Sequence, residues 1–249
     1  PLALLADGGA LSFTTAIDAE YDFILNLSDP AAPTIEIKPA KPFGTNAVFI
    51  RGSVNGWGNP AADEILWDGG SRTYSVIYGL EAGGNHAFKF ADANWGPVNY
   101  GYGEVSFSSD ADAIAVTDDG GNMRVSVAKS TSYKFAVSFV TADPVVKVSE
   151  APLYLRGGVT GSGWGADAGN QLGFIGTDAG NTAEASHVYS LEVNYGGGVS
   201  EFKVADEGWG GTFGYNYGVE VGGTPVVLDV PMTLVNNGNN IGLNVAAGT

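Results

Sequence analysis

The sequence contains no cysteine and only two histidines in 249 residues. The absence of cysteine excludes disulfides and thiolate chemistry, although it is compatible with secretion. His86 and His187 stand alone, with no second histidine nearby, so neither a zinc site nor a Ser-His-Asp triad is predicted. The aspartates between residues 110 and 119 do not follow the spacing of a calcium loop. We therefore expect no cofactor, no metal and no catalytic residue.

Positive charge is also scarce. Eleven Lys and Arg residues stand against 27 Asp and Glu residues, which gives a net charge of −16. This balance argues against nucleic acid and anionic membranes as partners of the surface as a whole, and it favours a neutral or cationic ligand. No apolar run approaches the length of a membrane span, so membrane insertion is not expected.

Helical periodicity is the third feature that is missing, since no segment places apolar residues at i, i+3, i+4 and i+7. Instead, the 38 glycines alternate with short runs of Val, Ile, Phe and Tyr. This pattern is typical of many short strands joined by tight turns. The sequence therefore predicts an all-β protein with little helix.

What the chain does contain is an internal repeat. The segment FKFADANWG at residues 88–96 returns as FKVADEGWG at residues 202–210. A second pair, RGSVNGWG and RGGVTGSGWG, begins at Arg51 and Arg156 and has a two-residue insertion in its second copy. We therefore predict two β-sandwich modules, module one at residues 48–150 and module two at residues 151–249.

The first 40 residues carry a further repeat signal. Residues 7–23 align with residues 119–135, near the end of module one, so we interpret residues 1–40 as the C-terminal strands of a module and residues 41–47 as a linker. The predicted strands of this segment are a hairpin and a tail strand, at residues 10–14, 21–25 and 34–37.

Module two has no segment that matches the last strands of module one, residues 133–148, and residues 1–40 contain such strands without a module of their own. Three sources of the missing strands stay open. They are a longer tandem of which this chain is a piece, a neighbouring chain that exchanges strands, and back-folding of the same chain.

Trp95 and Trp209 follow predicted strand ends, on glycine-rich loops where an indole is exposed more often than inside a strand. An indole packs well on the C–H face of a sugar ring, while the sugar hydroxyls need amide or amine partners. The predicted ligand-binding residues are therefore an aromatic, amide and amine set on each loop: Trp95, Lys89, Asn99 and Tyr100, with Trp209, Lys203, Asn216 and Tyr215.

The other three tryptophans have either a structural role or a secondary role in ligand binding. Trp57 and Trp164 follow glycine-containing turns, where the ring either caps the edge of the sandwich or contacts ligand, and Trp67 is a further secondary candidate without a counterpart in module two. Asp92 and Asp206 occupy matching positions, and we expect their carboxylates to accept backbone N–H groups of a turn.

The order R-G-x-x-N-G-W, L-x-A-G, F-K-F-A-D-x-x-W and N-x-G covers most of module one. In this order the chain resembles the starch-binding modules of bacterial pullulanases and α-amylases, and the tandem modules of outer-membrane starch-utilisation lipoproteins. The resemblance implies an immunoglobulin-like β-sandwich and a paired aromatic site, with a lysine or amide, for α-glucan. It also implies an extracellular or cell-surface location in a bacterium.

Two functions of different class follow from these expectations. The first is non-catalytic binding of a polysaccharide, an α-glucan of the starch or glycogen type. The second is a structural role, in which residues 1–40 complete the next subunit head to tail, and donor-strand exchange builds a filament or surface layer. An enzyme is not expected, because no paired carboxylates occur in a recognisable setting.

Overall fold

A computed structural model describes residues 2–3, 21–141, 143–177, 187–210, 215–227 and 229–246. Within these ranges the regular structure is almost entirely β, which confirms the all-β prediction. The helices there are 3₁₀ helices of one turn, and no helix in the same ranges is long and apolar enough to cross a membrane. They are Ser53–Asn55, Ala61–Asp63, Tyr102–Glu104 and Ala168–Asn170.

The N-terminal segment forms a small antiparallel sheet. Its strands are β1 (Leu2–Ala3), β2 (Tyr21–Asn26) and β3 (Thr34–Pro39), in the spatial order β1-β3-β2. The predicted strands at residues 21–25 and 34–37 are β2 and β3, which pair with each other, so the predicted tail strand is part of a hairpin; the first strand of the predicted hairpin, residues 10–14, lies outside the described residues. Ile24 and Leu25, which alternate between the two faces of β2, are 44% and 54% exposed. Strand β2 therefore presents apolar side chains on both of its faces.

Residues 48–150 form two sheets. Their strands are β4 (Val48–Gly52), β5 (Leu66–Asp68), β6 (Thr73–Leu80), β7 (Asn85–Asp92), β8 (Asn99–Tyr100), β9 (Ser106–Phe107), β10 (Val116–Asp119), β11 (Asn122–Ser126), β12 (Thr131–Ser138) and β13 (Val145–Glu150). Sheet one has the order β10-β11-β7-β4, with β8 paired to β7, and sheet two has the order β5-β6-β12-β13-β9. All of these pairs are antiparallel except β9 with β13.

The two sheets enclose one core. Phe88 and Phe90 of β7 alternate with outward-facing residues, as the period-two pattern predicts, and both are buried. Phe88 meets Phe135 of β12 edge to face, with ring centroids 4.9 Å apart. This contact joins sheet one to sheet two, so module one is a β-sandwich.

One core residue comes from the predicted linker. Phe43 is buried, and its ring stacks on Tyr74 of β6 with centroids 4.5 Å apart. The backbone N–H of Phe43 also donates to the hydroxyl of Tyr74. Residues 41–47 thus turn back onto module one and close one end of its core.

The described residues between 151 and 246 repeat part of sheet one around a long central strand. The strands are β14 (Tyr154–Gly157), β15 (Gly173–Thr177), β16 (His187–Ser190), β17 (Gly198–Ala205), β18 (Asn216–Gly218), β19 (Val235–Asn236) and β20 (Ile241–Val245). Sheet three has the order β14-β17-β18-β19 with β20 on β17, which is its central strand. Strands β14, β18 and β20 take the places that β4, β8 and β11 have around β7, whereas β19 pairs with β18 and not with β20. Sheet four is the β15–β16 pair.

Sheet four packs against sheet two of module one. The ring of Phe174 lies so close to Gly79 of β6 that a Cβ there would be 2.4 Å from it. The backbone N–H of Gly79 donates to Nδ1 of His187, whose ring also meets Tyr78 edge to face at 4.0 Å. A glycine on β6 therefore makes room for the contact that joins the two modules.

Candidate functional site

The loop after β7 is shaped by one carboxylate. Asp92 accepts backbone N–H groups from Asn94 and Gly96 at 2.9 Å and from Val98 at 3.1 Å. These hydrogen bonds, those from Gly96 and Val98 first, lower the pKa of Asp92. The expected role of this aspartate in a turn is confirmed, and the turn it holds presents Trp95.

Trp95 is kept in an unusual backbone conformation. Its φ is 56°, in the left-handed region that bulky residues avoid. Trp57 shares this conformation at φ 65°, as does Trp209 at φ 61°. Such strain persists where the surroundings fix it, and it is concentrated at functional sites. The loops therefore hold these three indoles in positions that the local backbone does not favour.

Arg51 of β4 joins the two tryptophan loops of module one. Its guanidinium lies 3.8 Å from the ring centroid of Trp95 and is almost fully buried. The same group donates hydrogen bonds to the backbone carbonyls of four residues in the two loops, which are Trp57, Gly58, Asp92 and Ala93. Arg51 therefore fixes both loops to sheet one while it covers one face of the Trp95 ring.

The first loop has its own anchor. Asn55 Oδ1 accepts the backbone N–H groups of Gly52 at 2.9 Å and Trp57 at 3.1 Å. At Gly52 a Cβ would lie 2.3 Å from the carbonyl oxygen of Ala87, so only glycine fits there. These contacts explain why arginine, glycine, asparagine and tryptophan occur at these spacings in the R-G-x-x-N-G-W motif.

The result is a tilted aromatic pair beside polar groups. The ring centroids of Trp57 and Trp95 are 6.1 Å apart, with 42° between the ring planes. Lys89 pairs with Arg51 across β7 and β4, so its side chain lies on the same outer face of sheet one. Its Nζ donates to Oδ1 of Asn99 at 3.1 Å. Indole faces, an amine and an amide thus share one surface, which we call platform one (Trp57, Trp95, Lys89, Asn99).

Two of the predicted site residues in module one lie elsewhere. Tyr100 pairs with Phe90, so its ring points to the core, where it contacts Phe43 at 5.6 Å. Trp67 of β5 packs on Tyr74 with centroids 4.6 Å apart. Tyr100 lies on the opposite side of sheet one from Asn99, because successive residues of a strand point to opposite sides, and Trp67 belongs to sheet two.

Module two repeats the aromatic pair. The rings of Trp164 and Trp209 are 5.9 Å apart at the same angle of 42°, and Arg156 lies 4.0 Å from the ring of Trp209. Asp206 accepts the N–H groups of Gly210 and Tyr215, as its counterpart does in module one. We call Trp164, Trp209, Lys203 and Asn216 platform two.

The polar groups of platform two are arranged differently. Nζ of Lys203 donates to the backbone carbonyl of Gly238 at 2.6 Å, and burial lowers the pKa of this lysine. Oδ1 of Asn216 is buried without a hydrogen-bond partner among the described residues. Tyr215 stacks on Tyr217 with centroids 4.9 Å apart, and burial raises its pKa. The amine of Lys203 is thus already hydrogen-bonded within the protein.

A cleft of about 360 Å³ lies between the modules, beside the loop of Trp209. Glu207 and Gly208 line it from module two, and Asp68, Lys134 and Glu150 line it from module one. Its carboxylates outnumber its single amine, so the cleft disfavours anions. No cluster of metal-ligating side chains occurs in the described part of the chain.

Sequence reasoning did not assign roles to Arg51, Arg156 and Asn55. The signal that could have found them is the repeat itself, because each arginine precedes its first tryptophan at a similar distance and alternates into the outer face of its strand. An arginine in that place would be taken for a solvated surface residue. Here it is the support of the indole pair.

No protein-family model matches the chain. It is 28% identical over 174 residues to the Outer membrane protein SusF of Bacteroides thetaiotaomicron, in an alignment that covers 64% of this chain and about a third, 32%, of that protein. A crystal structure of SusF from the same organism has 20% identity, a TM-score of 0.48, and covers 86% of this chain and 46% of that chain. The sequence similarity confirms the resemblance that the motifs predicted.

Proposed function

We propose that the chain binds polysaccharide without catalysis, as a tandem of α-glucan-binding modules at the surface of a bacterium. The observation that carries the proposal is platform one, where two indoles, an amine and an amide share one exposed face. Trp95 is 37% exposed, although Arg51 covers one side of its ring, so the other side is open for a sugar. The name of the relative, an outer membrane protein, supports the location.

The tilt between the indoles favours a curved glycan. A flat β-linked chain matches coplanar rings, whereas the helical curve of an α-glucan matches rings set at an angle. Both platforms have the same 42° tilt and similar spacing. We further propose that the chain is divided into residues 1–40, a linker at residues 41–47, and two modules at residues 48–150 and 151–249. Each module carries one platform.

Affinity electrophoresis in gels containing soluble starch, glycogen or a β-glucan tests the proposal. The chain should be retarded by the α-glucans alone, and Trp95→Ala with Trp209→Ala should remove the retardation. Trp67→Phe is the matched control, since Trp67 packs on Tyr74 away from both platforms. Unchanged retardation of the double variant would refute the assignment of the site.

A second candidate function is assembly by strand exchange. It is favoured by the exposed Ile24 and Leu25 of β2, by the exposed Leu27 just after it, and by the repeat that relates residues 1–40 to strands β12 and β13. In module one, β12 pairs with β6 in sheet two. Sheet four takes the place of sheet two in module two. We propose that the β2–β3 hairpin of one copy adds to sheet four of the next.

Light scattering on the full chain and on a variant without residues 1–40 tests this assembly. Head-to-tail addition predicts growth of large species with concentration, and their loss on deletion. A full chain that stays monomeric, and is unaffected by the deletion, rules the filament out. Leu66→Ser, an exposed apolar position on β5, is the control for nonspecific association.

A further inference from the structure

A buried carboxylate lies behind platform one. Asp63, at the end of the 3₁₀ helix Ala61–Asp63, has no exposed surface, and its Oδ2 accepts a hydrogen bond from Asn55 Nδ2 at 2.7 Å. A fully buried ionised carboxylate is costly unless it is paired or well hydrogen-bonded. Its other oxygen, Oδ1, has no hydrogen-bond partner within 3.5 Å in the described part of the chain, although the hydroxyl of Tyr78 is near enough to the carboxylate to lower its pKa.

Asp63 reaches the indole pair through one residue. Asn55 uses Nδ2 to hold the carboxylate and the carbonyl of Ile50, and it uses Oδ1 to hold the N–H of Trp57. The orientation of this single amide thus depends on Asp63 at one end and fixes Trp57 at the other. Because Trp57 has a strained backbone at φ 65°, its position relies on such contacts.

Module two has an uncharged hydrogen-bonded pair at the corresponding place. Asn170 ends the 3₁₀ helix Ala168–Asn170 and is buried, and its Nδ2 donates to Oγ of Ser162 in the loop before Trp164. Neither group titrates between pH 4 and 9. The carboxylate of Asp63 in module one thus corresponds to an amide in module two, which does not titrate.

We propose that Asp63 is a positioning residue for platform one: its ionised carboxylate orients Asn55 and thereby Trp57, so that module one binds glycan more tightly when Asp63 is ionised than when it is protonated. The inference rests on the proposed function of platform one. A hydrogen bond to a charged carboxylate is stronger than one to a neutral acid, so protonation loosens the link without breaking it.

The surroundings allow this change near neutral pH. Burial raises the pKa of Asp63 to about 6, and hydrogen bonding from Asn55 and Tyr78 only partly opposes that effect. The ionisable groups that interact with Asp63 among the described residues are the hydroxyls of Tyr78 on β6 and of Tyr215 before β18. Burial raises the pKa of both phenols, so neither changes charge in the same range.

The experiment uses the full chain with Trp209→Ala, so that platform one is the remaining site. Binding of maltoheptaose is measured by calorimetry between pH 5 and pH 8. We expect affinity to fall by about threefold to tenfold as pH decreases through about 6, in line with the weakening of one charge-assisted hydrogen bond to that of a neutral acid. Asp63→Asn should flatten the profile at the weaker level.

Two controls separate this link from general effects of pH and of fold. Asn170→Asp makes the corresponding change in module two and should leave the profile of platform one unaltered. His86→Gln removes the histidine of module one, and the profile should persist. A pH dependence that survives in Asp63→Asn overturns the proposal, as does one that disappears in His86→Gln.

A measurement without ligand distinguishes this inference from the proposed function. The indole N–H resonance of Trp57, assigned with Trp57→Phe, should shift with a midpoint near pH 6 in the unsubstituted chain and not in Asp63→Asn. If no variant binds glycan at any pH, the proposed function fails, and the link from Asp63 to Trp57 is judged by this resonance. A resonance that does not move with pH overturns the link.

Discussion

Platforms one and two have nearly the same indole geometry, but the arginines that lie against their rings form different numbers of hydrogen bonds. The ring pairs differ by 0.2 Å in spacing and share one tilt, 6.1 and 5.9 Å at 42°. Yet Arg51 donates to four backbone carbonyls, whereas Arg156 has one such bond, to Glu207 at 3.3 Å, and leaves Nε and Nη1 buried without partners among the described residues. Similar aromatic geometry therefore does not imply similar stability or similar polar chemistry.

The two arginines provide the largest expected contrast. Arg51→Ala removes a buried cation and leaves several buried carbonyls unsatisfied, so it should lower the free energy of unfolding by about 4 kcal/mol. Arg156→Ala, with a single partner carbonyl, should cost about 1 to 2 kcal/mol. Urea unfolding followed by tryptophan fluorescence measures both. Arg124→Ala is the control, because Arg124 forms a half-exposed ion pair with Asp119. Equal losses at the two sites would contradict the difference in support.

Acid should weaken the contact between the modules. Burial lowers the pKa of His187 from an ordinary 6.5 to about 4, so the unfolded chain binds the proton more readily than the folded one. Neutral His187 therefore makes its full contribution to the free energy of unfolding above pH 6.5. This contribution is lost as pH falls towards 4, by up to about 3 kcal/mol.

His187→Asn keeps an acceptor for Gly79 but does not titrate. The difference in unfolding free energy between this variant and the unsubstituted chain, measured from pH 7.5 to pH 4, isolates the histidine from the carboxylates that also titrate there. A constant difference across that range would show that His187 does not titrate at the junction.

Single indole removals compare the platforms as binding sites. Loss of one stacking ring should cost about 1 to 3 kcal/mol by analogy with base stacking, so Trp95→Ala should weaken binding by roughly tenfold or more. Trp209→Ala should have a smaller effect, because Lys203 is already bonded to Gly238 and is less available to a sugar hydroxyl. Calorimetry with a maltooligosaccharide ranks the two variants. The reverse order would show that platform two is the stronger site.

The lysines give the smallest and sharpest contrast. Lys89→Met should weaken glycan binding by about fivefold, the value of roughly one hydrogen bond of about 1 kcal/mol. Lys203→Met should leave binding unchanged and lower stability instead, since its amine holds the carbonyl of Gly238. Binding and thermal unfolding are measured on both variants. If Lys203→Met alone weakened binding, its hydrogen bond to Gly238 would have to open when ligand arrives.

The repeat F-K-x-A-D-x-x-W was sufficient to predict the strand, the turn and the carboxylate that shapes it. Period-two alternation placed Phe88 and Phe90 in the core and Lys89 on the outer face, and the backbone bears this out. Local rules suffice here because each of these features depends on residues within ten positions of one another.

Features that depend on distant partners could not be predicted. Tyr100 turns to the core because β8 pairs with β7 in a register that places it opposite Phe90, and no local pattern sets that register. Phe43 belongs to a proline-containing segment whose sequence is typical of an extended linker, yet its ring stacks on Tyr74 in the core. The partner of Lys203 lies 35 residues away in sequence. In each case tertiary contacts decide where the side chain goes.

The left-handed backbone of Trp57, Trp95 and Trp209 has a consequence for how such loops change over time. At these positions glycine or asparagine would relieve the local conformation, so random substitution without any demand for an indole should drift towards those residues. The loops of the two modules differ around their tryptophans, DANWG at residues 92–96 and DEGWG at residues 206–210, and both have the indole at the strained position. Exchange of either tryptophan for glycine should therefore stabilise the local backbone while it removes the ring.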